Sequence, residues 1–173
     1  MVPVLETERL RLRAVRHSDL QVWAAVCADP EVVRYLGGQS FPREDTWRRL
    51  LASNGLWAML GYGYWAVERK GDDRMVAQVG FADFKRDMTP SIEGLPEMGW
   101  VFARDTHGQG YASEAVAAAL AWADQALKGS EITAIIDTDN AASIRVAEKA
   151  GFSAREEAVY KGEPILIFRR PPR

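Results

Sequence analysis

Apolar and charged residues alternate through Thr7-Glu8-Arg9-Leu10-Arg11-Leu12-Arg13, and a repeat of two is the pattern of a strand with one buried face. The period then lengthens. Leu20, Trp23, Ala24 and Cys27 recur at helical spacing behind Ser18-Asp19-Leu20-Gln21, a capping-box arrangement, and predict a helix running to about Ala28. Asp29-Pro30 marks a second helix start with proline in the first turn, and Pro42 to about Ser53, carrying Trp47, Leu50 and Leu51, predicts a third helix. From Gly63 the pattern changes again. Tyr64 to Glu68, Met75 to Phe84 and Glu97 to Arg104 are rich in aromatic and β-branched residues and predict three strands in hairpin succession. Ala112 to Leu127 is alanine-rich with Val116, Leu120, Ala123 and Leu127 on one face, a helix for which Gly129 can supply a left-handed cap. Glu131 to Asp137 predicts a strand, Asn140 to Ala150 a helix stopped by Gly151, and Phe152 to Tyr160 with Pro164 to Arg169 a closing pair of strands. The expected fold class is α+β, one central mixed sheet with flanking helices in a single domain over residues 1–173. Only Arg169 to Arg173 reads as a disordered end.

Composition narrows the function classes. At 173 residues and 47% apolar, the chain has material for one full core. Its 22 basic and 24 acidic residues leave a formal charge of −2, which disfavours nucleic acid or an anionic membrane as partner. One cysteine and two histidines cannot build a disulfide framework and make a poor stock for structural zinc. No basic-then-apolar leader and no apolar run of about 20 residues is visible, so a cytoplasmic protein is the expectation.

The segment with the sharpest chemistry is Arg104-Asp105-Thr106-His107-Gly108-Gln109-Gly110-Tyr111-Ala112, set between a predicted strand and the start of the strongest helix. Glycines let the chain turn tightly and aim several N–H groups at one point, and the helix N-terminus adds unpaired donors and partial positive charge. That is a phosphate cradle, although the same glycines also serve a tight turn with no ligand. The Walker pattern fails, because no Gly-Lys-Ser/Thr follows. The dinucleotide fingerprint fails as well, for want of a third glycine. About thirty residues on, Asn140 can cap the next helix, and Ser143 lies one turn later near the same end. Cys27 falls on an apolar stripe and reads as core. His17 precedes a capping box, and nothing suggests chemistry for it.

Thr7 to Arg13, Asp29-Pro30-Glu31-Val32, Gly108-Gln109-Gly110-Tyr111-Ala112-Ser113-Glu114-Ala115 and Asn140 to Phe152, in this order and spacing, resemble the acetyl-CoA-dependent N-acetyltransferases of the GNAT superfamily. Within it, the sequence resembles the branch that contains the ribosomal-protein N-terminal acetyltransferases. The resemblance implies a mostly antiparallel sheet with a splayed cofactor cleft, acetyl-CoA as cosubstrate and no metal. It implies that main-chain groups of Val101, Phe102 and Ala103 meet the pantetheine arm, and that His107, Gly108, Gln109, Gly110, Tyr111, Ala112 and Ser113 surround the pyrophosphate. Asn140 would reach the cofactor, Ser143 would bind or protonate the departing thiolate, and Glu97 would take the amine proton, directly or through water. From the residues themselves, Tyr35, Trp47 and Trp57 offer walls for an acceptor pocket in the helical first third, with Asp87, Glu93 or Glu97 to attract a cationic amine, although aromatics in such positions are more often simply core.

One departure stands out. Many members carry Gln or Arg three positions before the first glycine, where this chain has Asp105. The acceptor would be an amine, on a small molecule or a protein N-terminus, and a homodimer is compatible with the reading. Two other readings remain at this stage: a non-catalytic acyl-CoA sensor on the same fold, and a nucleotide-binding regulatory domain using the glycine turn.

Overall fold

The structure is a computed structural model that describes residues 1–173. Eight strands form one sheet in the order β1-β2-β3-β4-β5-β6-β8-β7: β1 (Leu5–Glu6), β2 (Leu10–Arg13), β3 (Tyr64–Arg69), β4 (Arg74–Ala82), β5 (Glu97–Phe102), β6 (Ile132–Asp137), β7 (Ala154–Tyr160) and β8 (Glu163–Arg170). Every neighbouring pair is antiparallel except β5 with β6. This is the α+β class the patterning predicts.

Five helices flank the sheet. On one face, α4 (Tyr111–Ala126) and α5 (Ala141–Lys149) bury Ala115, Val116, Ala119, Leu120, Ala123 and Ala147 against Trp65, Val67, Val79, Phe81, Met98 and Phe102. Small residues on the α4 stripe let that helix sit close to the sheet. On the other face, α1 (Leu20–Ala28) and α3 (Arg43–Leu60) close a second core of Trp23, Cys27, Leu50, Ala66 and Met75. The short α2 (Pro30–Val33) follows α1 directly, its start capped by the Asp29 carboxylate accepting from the Glu31 N–H at 3.0 Å.

Three expectations change. The strand expected over Thr7–Arg13 begins only at Leu10, because Thr7 makes a turn: its N–H donates to the Leu10 carbonyl and its hydroxyl oxygen accepts the Leu10 N–H. The third helix runs on past Ser53 to Leu60, where Gly61 (φ 76°) caps it, because Trp57 ties its last turns to the main core. Arg169 and Arg170 do not belong to a disordered end. They lie in β8, where Arg170 is buried and bidentate to Asp124, and Arg169 bridges Glu131 and Glu156. The last two strands of the sheet are thereby tied to α4 and to the residue that leads into β6.

Candidate functional site

The site is built by a mismatch in the sheet. β5 and β6 run parallel and share a single register pair, Glu97 with Thr133, closed by the Thr133 N–H donating to the Pro96 carbonyl at 2.9 Å. Beyond that vertex the two strands diverge, leaving one edge of each without a partner strand. Past the vertex, beside β5, lies a cleft of about 520 Å³, walled by Trp100 to Phe102, the loop after β5, the starts of α4 and α5 and the segment around α2.

Alternation along β5 decides which backbone groups face that cleft. The Ala103 N–H donates to Val76 in β4 at 2.8 Å, and the Pro96 carbonyl points to β6, so odd positions turn to β4 and even positions to the splay. The main-chain groups of Trp100 and Phe102 therefore face the cleft. This corrects the expectation for Val101 and Ala103, whose main chains belong to the β4 ladder. Val101 still lines the cleft while packing against the second core, whereas Ala103 is buried away from it.

The loop after β5 brings the helix end to the cleft floor. Gly108 (φ 73°) and Gly110 (φ 81°) both occupy the left-handed region, which a side chain would strain, and Gly110 is the residue from which α4 springs. Tyr111, Ala112 and Ser113 follow it with N–H groups that have no carbonyl a turn earlier in the helix. All five line the cleft, as do His107 and Asn140. The His107 ring lies 3.0 Å from the Phe102 carbonyl through Nε2. A carbonyl can only accept, so Nε2 carries the proton and Nδ1 is the nitrogen left to a ligand. Gln109 does not line the cleft, correcting its assignment. Its amide donates back to the Asp105 carbonyl at 2.7 Å, which stiffens the turn from behind.

Asp105 is also turned away. Its carboxylate takes a guanidinium N–H of Arg74 at 2.7 Å, and that bond holds its carboxyl below the usual carboxylate range. The acidic charge that departs from the family pattern is thus neutralised outside the cleft. Asp105→Asn is expected to change CoA affinity by less than about twofold, measured by calorimetry, because a solvent-exposed pair is worth at most about 1 kcal/mol.

Ser143 lines the cleft with a defined orientation. Its N–H donates to Asn140 Oδ1 at 3.1 Å, the cap of α5, and its Oγ accepts the indole N–H of Trp100 at 3.2 Å. With an acceptor lone pair occupied, the hydroxyl proton is the part left to offer. Trp100 was not foreseen from sequence. Nor were Arg34, Arg145 and Lys149, three cations on the cleft wall with no acidic partner. Helical spacing from Ala142 (Arg145 three residues on, Lys149 seven) was the available signal for two of them.

On the opposite face of β5 lie Glu97 and Tyr64. Glu97 is buried and both its oxygens are taken by Arg86, Nε at 2.7 Å and a terminal nitrogen at 2.8 Å. It does not line the cleft, so the expected free base is an ion pair at the vertex. Arg86 is held still further by the rings of Phe84 and Tyr160, 4.8 and 4.9 Å away. The Tyr64 hydroxyl lies over Gly99, so close that any β-carbon there would collide with it, and burial, with Glu97 nearby, pushes its phenol up. Glu93, which the sequence offered as an attractor of amines, is paired with Lys85.

Of the expected acceptor walls, Tyr35 lines the cleft and its hydroxyl reaches the Asp139 carbonyl at 3.3 Å, bridging the segment after α2 to the loop before α5. Trp57 does not. It packs edge-on against Trp65 and Trp122, at 4.7 and 5.3 Å, and donates to the Tyr64 carbonyl. Trp47 packs against the second core and stands edge-on to His17, off the cleft. These two aromatics are core, which corrects their assignment.

Known proteins share this fold. The family model described as an acetyltransferase (GNAT) domain matches residues 9–153. An uncharacterised Bacillus subtilis protein, YkkB, is 31% identical over 172 residues, covering 96% of this chain and 94% of its own. A solved structure, a putative GNAT-family acetyltransferase from Bordetella pertussis, superposes with a TM-score of 0.85 at 27% identity over 97% of this chain and 99% of its own. RimL, a ribosomal L7/L12 α-N-protein acetyltransferase solved with coenzyme A, has the same fold at a TM-score of 0.77 and 14% identity, covering 98% of each chain. A splayed β5–β6 cleft closed by a glycine turn at a helix start, together with a family match over most of its length, places this chain in the GNAT family of acetyl-CoA-dependent N-acetyltransferases.

Proposed function

We propose that the chain transfers the acetyl group of acetyl-CoA to a primary amine by direct attack within a ternary complex. The observation that carries this reading is the cleft itself. It joins a phosphate-suited helix end to a hydroxyl with a free proton, and its wall includes the main chain of a strand with no partner there. The pyrophosphate would lie on the N–H groups of Gly110 to Ser113, with Arg34, Arg145 and Lys149 adding the charge that Asp105 does not supply. The pantetheine amides would meet main-chain groups of Trp100 and Phe102, and an N–H of the same strand would face the oxyanion. Ser143 would stabilise the leaving thiolate. Cys27, the one cysteine, is buried in the second core, and burial pushes its thiol up, so no covalent acetyl-enzyme step is assigned to it.

The amine must shed a proton before it attacks. With Glu97 already bound by Arg86, we assign that proton to water, and give the Glu97–Arg86 pair the task of fixing the vertex. Glu97→Gln is then expected to leave the acidic limb of the pH profile of kcat/KM in place. It should also lower stability by about 2–3 kcal/mol, because a largely buried guanidinium loses its counter-charge. Loss of that acidic limb in a folded variant would make Glu97 the base after all.

The decisive experiment is a panel of amine acceptors (amino acids, polyamines, aminoglycosides and peptides with free N-termini) scored by thiol release from acetyl-CoA. Turnover with intersecting initial-rate lines supports direct transfer. CoA binding without thiol release across the whole panel would favour a sensor instead.

A further inference from the structure

Thr7-Glu8-Arg9 does not line the cleft, yet two of its side chains converge on the cofactor loop about a hundred residues away. Glu114, in the first turn of α4, accepts the Thr7 hydroxyl at 2.6 Å, the Arg9 main-chain N–H at 2.8 Å and Arg9 Nε at 2.7 Å. These bonds hold the Glu114 carboxyl below its usual range although desolvation alone would raise it. The far side of the same guanidinium donates to the Gln109 carbonyl at 2.9 Å and lies 4.3 Å from the centre of the Tyr111 ring. Arg9 thus touches the residues on both sides of Gly110.

Two rigid planes make this contact directional. The guanidinium is a flat fork, so fixing Nε on Glu114 fixes where the other nitrogens point. The Gln109–Gly110 peptide is planar and trans, so its carbonyl and its N–H point opposite ways. Holding the Gln109 carbonyl toward Arg9, which does not line the cleft, turns the Gly110 N–H away from Arg9, and Gly110 is among the residues that line the cleft. We propose that Arg9, set in place by Glu114 and Thr7, is a positioning residue for the cofactor that keeps the Gly110 N–H aimed into the cleft. The proposal rests on reading this loop as the pyrophosphate site.

The test compares the full chain with R9A, R9K and E114Q, measuring affinity for CoA and for pantetheine, which lacks the phosphates, alongside thermal unfolding. R9A is expected to weaken CoA about tenfold, the worth of one hydrogen bond to a charged group, while pantetheine changes by less than about twofold. R9K keeps the charge without the fork and should not restore CoA binding. E114Q removes a negative charge near an anion site, so a simple field effect would tighten CoA, whereas loss of positioning weakens it.

A folded R9A with an unchanged CoA-to-pantetheine ratio, full rescue by R9K, or tighter CoA binding in E114Q would each overturn the proposal. Should R9A fail to fold, R9K and E114Q still decide it. If the unmutated chain itself showed no preference for CoA over pantetheine, the reading of the loop as a phosphate site would fall first, and the role of Arg9 with it.

Discussion

Gly110→Asp is expected to weaken CoA binding at least a hundredfold, about 2.8 kcal/mol, while leaving a folded protein. Two separate effects act at this residue. Its φ of 81° is strained for any residue with a β-carbon, by about 1–2 kcal/mol, and that part falls on the fold as well as on the site. The carboxylate then stands at the start of α4, where the helix end offers N–H groups and partial positive charge to a phosphate. It would also sit against Arg9, whose guanidinium nitrogen lies 3.4 Å from the position of a new β-carbon, and would compete for the fork that holds Gln109. Gly110→Ala separates the two effects, since it carries the strain without the charge and should weaken CoA by about tenfold or less. Calorimetry with CoA, read beside thermal unfolding, checks both. A folded Gly110→Asp variant with the original CoA affinity would remove the phosphate from this turn.

The periodic parts of this molecule were legible because a strand or an amphipathic helix writes its buried face locally. Leu10 and Leu12 in β2, and Val116, Leu120 and Ala123 in α4, are buried where their spacing places them. The turn at Thr7 was not legible, because its reason is Glu114, 107 residues away, which accepts its hydroxyl. For the aromatics, composition cannot separate a pocket wall from a core residue. Tyr35 reaches the cleft, whereas Trp57 joins Trp65 and Trp122, and only the packing of α3 against the sheet distinguishes them. The backbone of β5 shows a third limit. Alternation was visible from sequence, but which half of it faces the cleft depends on hydrogen bonds at Ala103 and Pro96, made with partners from other strands. Glu97 fell in the right place, at the vertex, with its chemistry taken by Arg86, a partner eleven residues earlier across a loop.

Ser143→Ala is expected to lower kcat by about 10- to 100-fold with the KM for acetyl-CoA changed by less than about threefold. A hydrogen bond to a charged group is worth about 1.5–3 kcal/mol, and the thiolate acquires its charge only as the thioester breaks, so the loss falls on the transition state. Trp100 is the control for orientation. Its indole N–H occupies a lone pair of Ser143 Oγ, so Trp100→Phe should leave the hydroxyl present but free to rotate and lower kcat by less than the alanine variant does. The dependence on pH gives the sign of the role. Below the ordinary thiol pKa of about 8.5 the departing sulfur is more stable protonated than as a thiolate, and above it the thiolate survives unaided. A proton-donating Ser143 therefore predicts a defect that is deepest near neutral pH and narrows above about pH 9, whereas a hydroxyl that only hydrogen-bonds the thiolate predicts a constant one. If the alanine variant turned over at the full rate at every pH, the thiolate would be leaving to water. The Trp100–Ser143 bond would then serve only to hold α5 against β5.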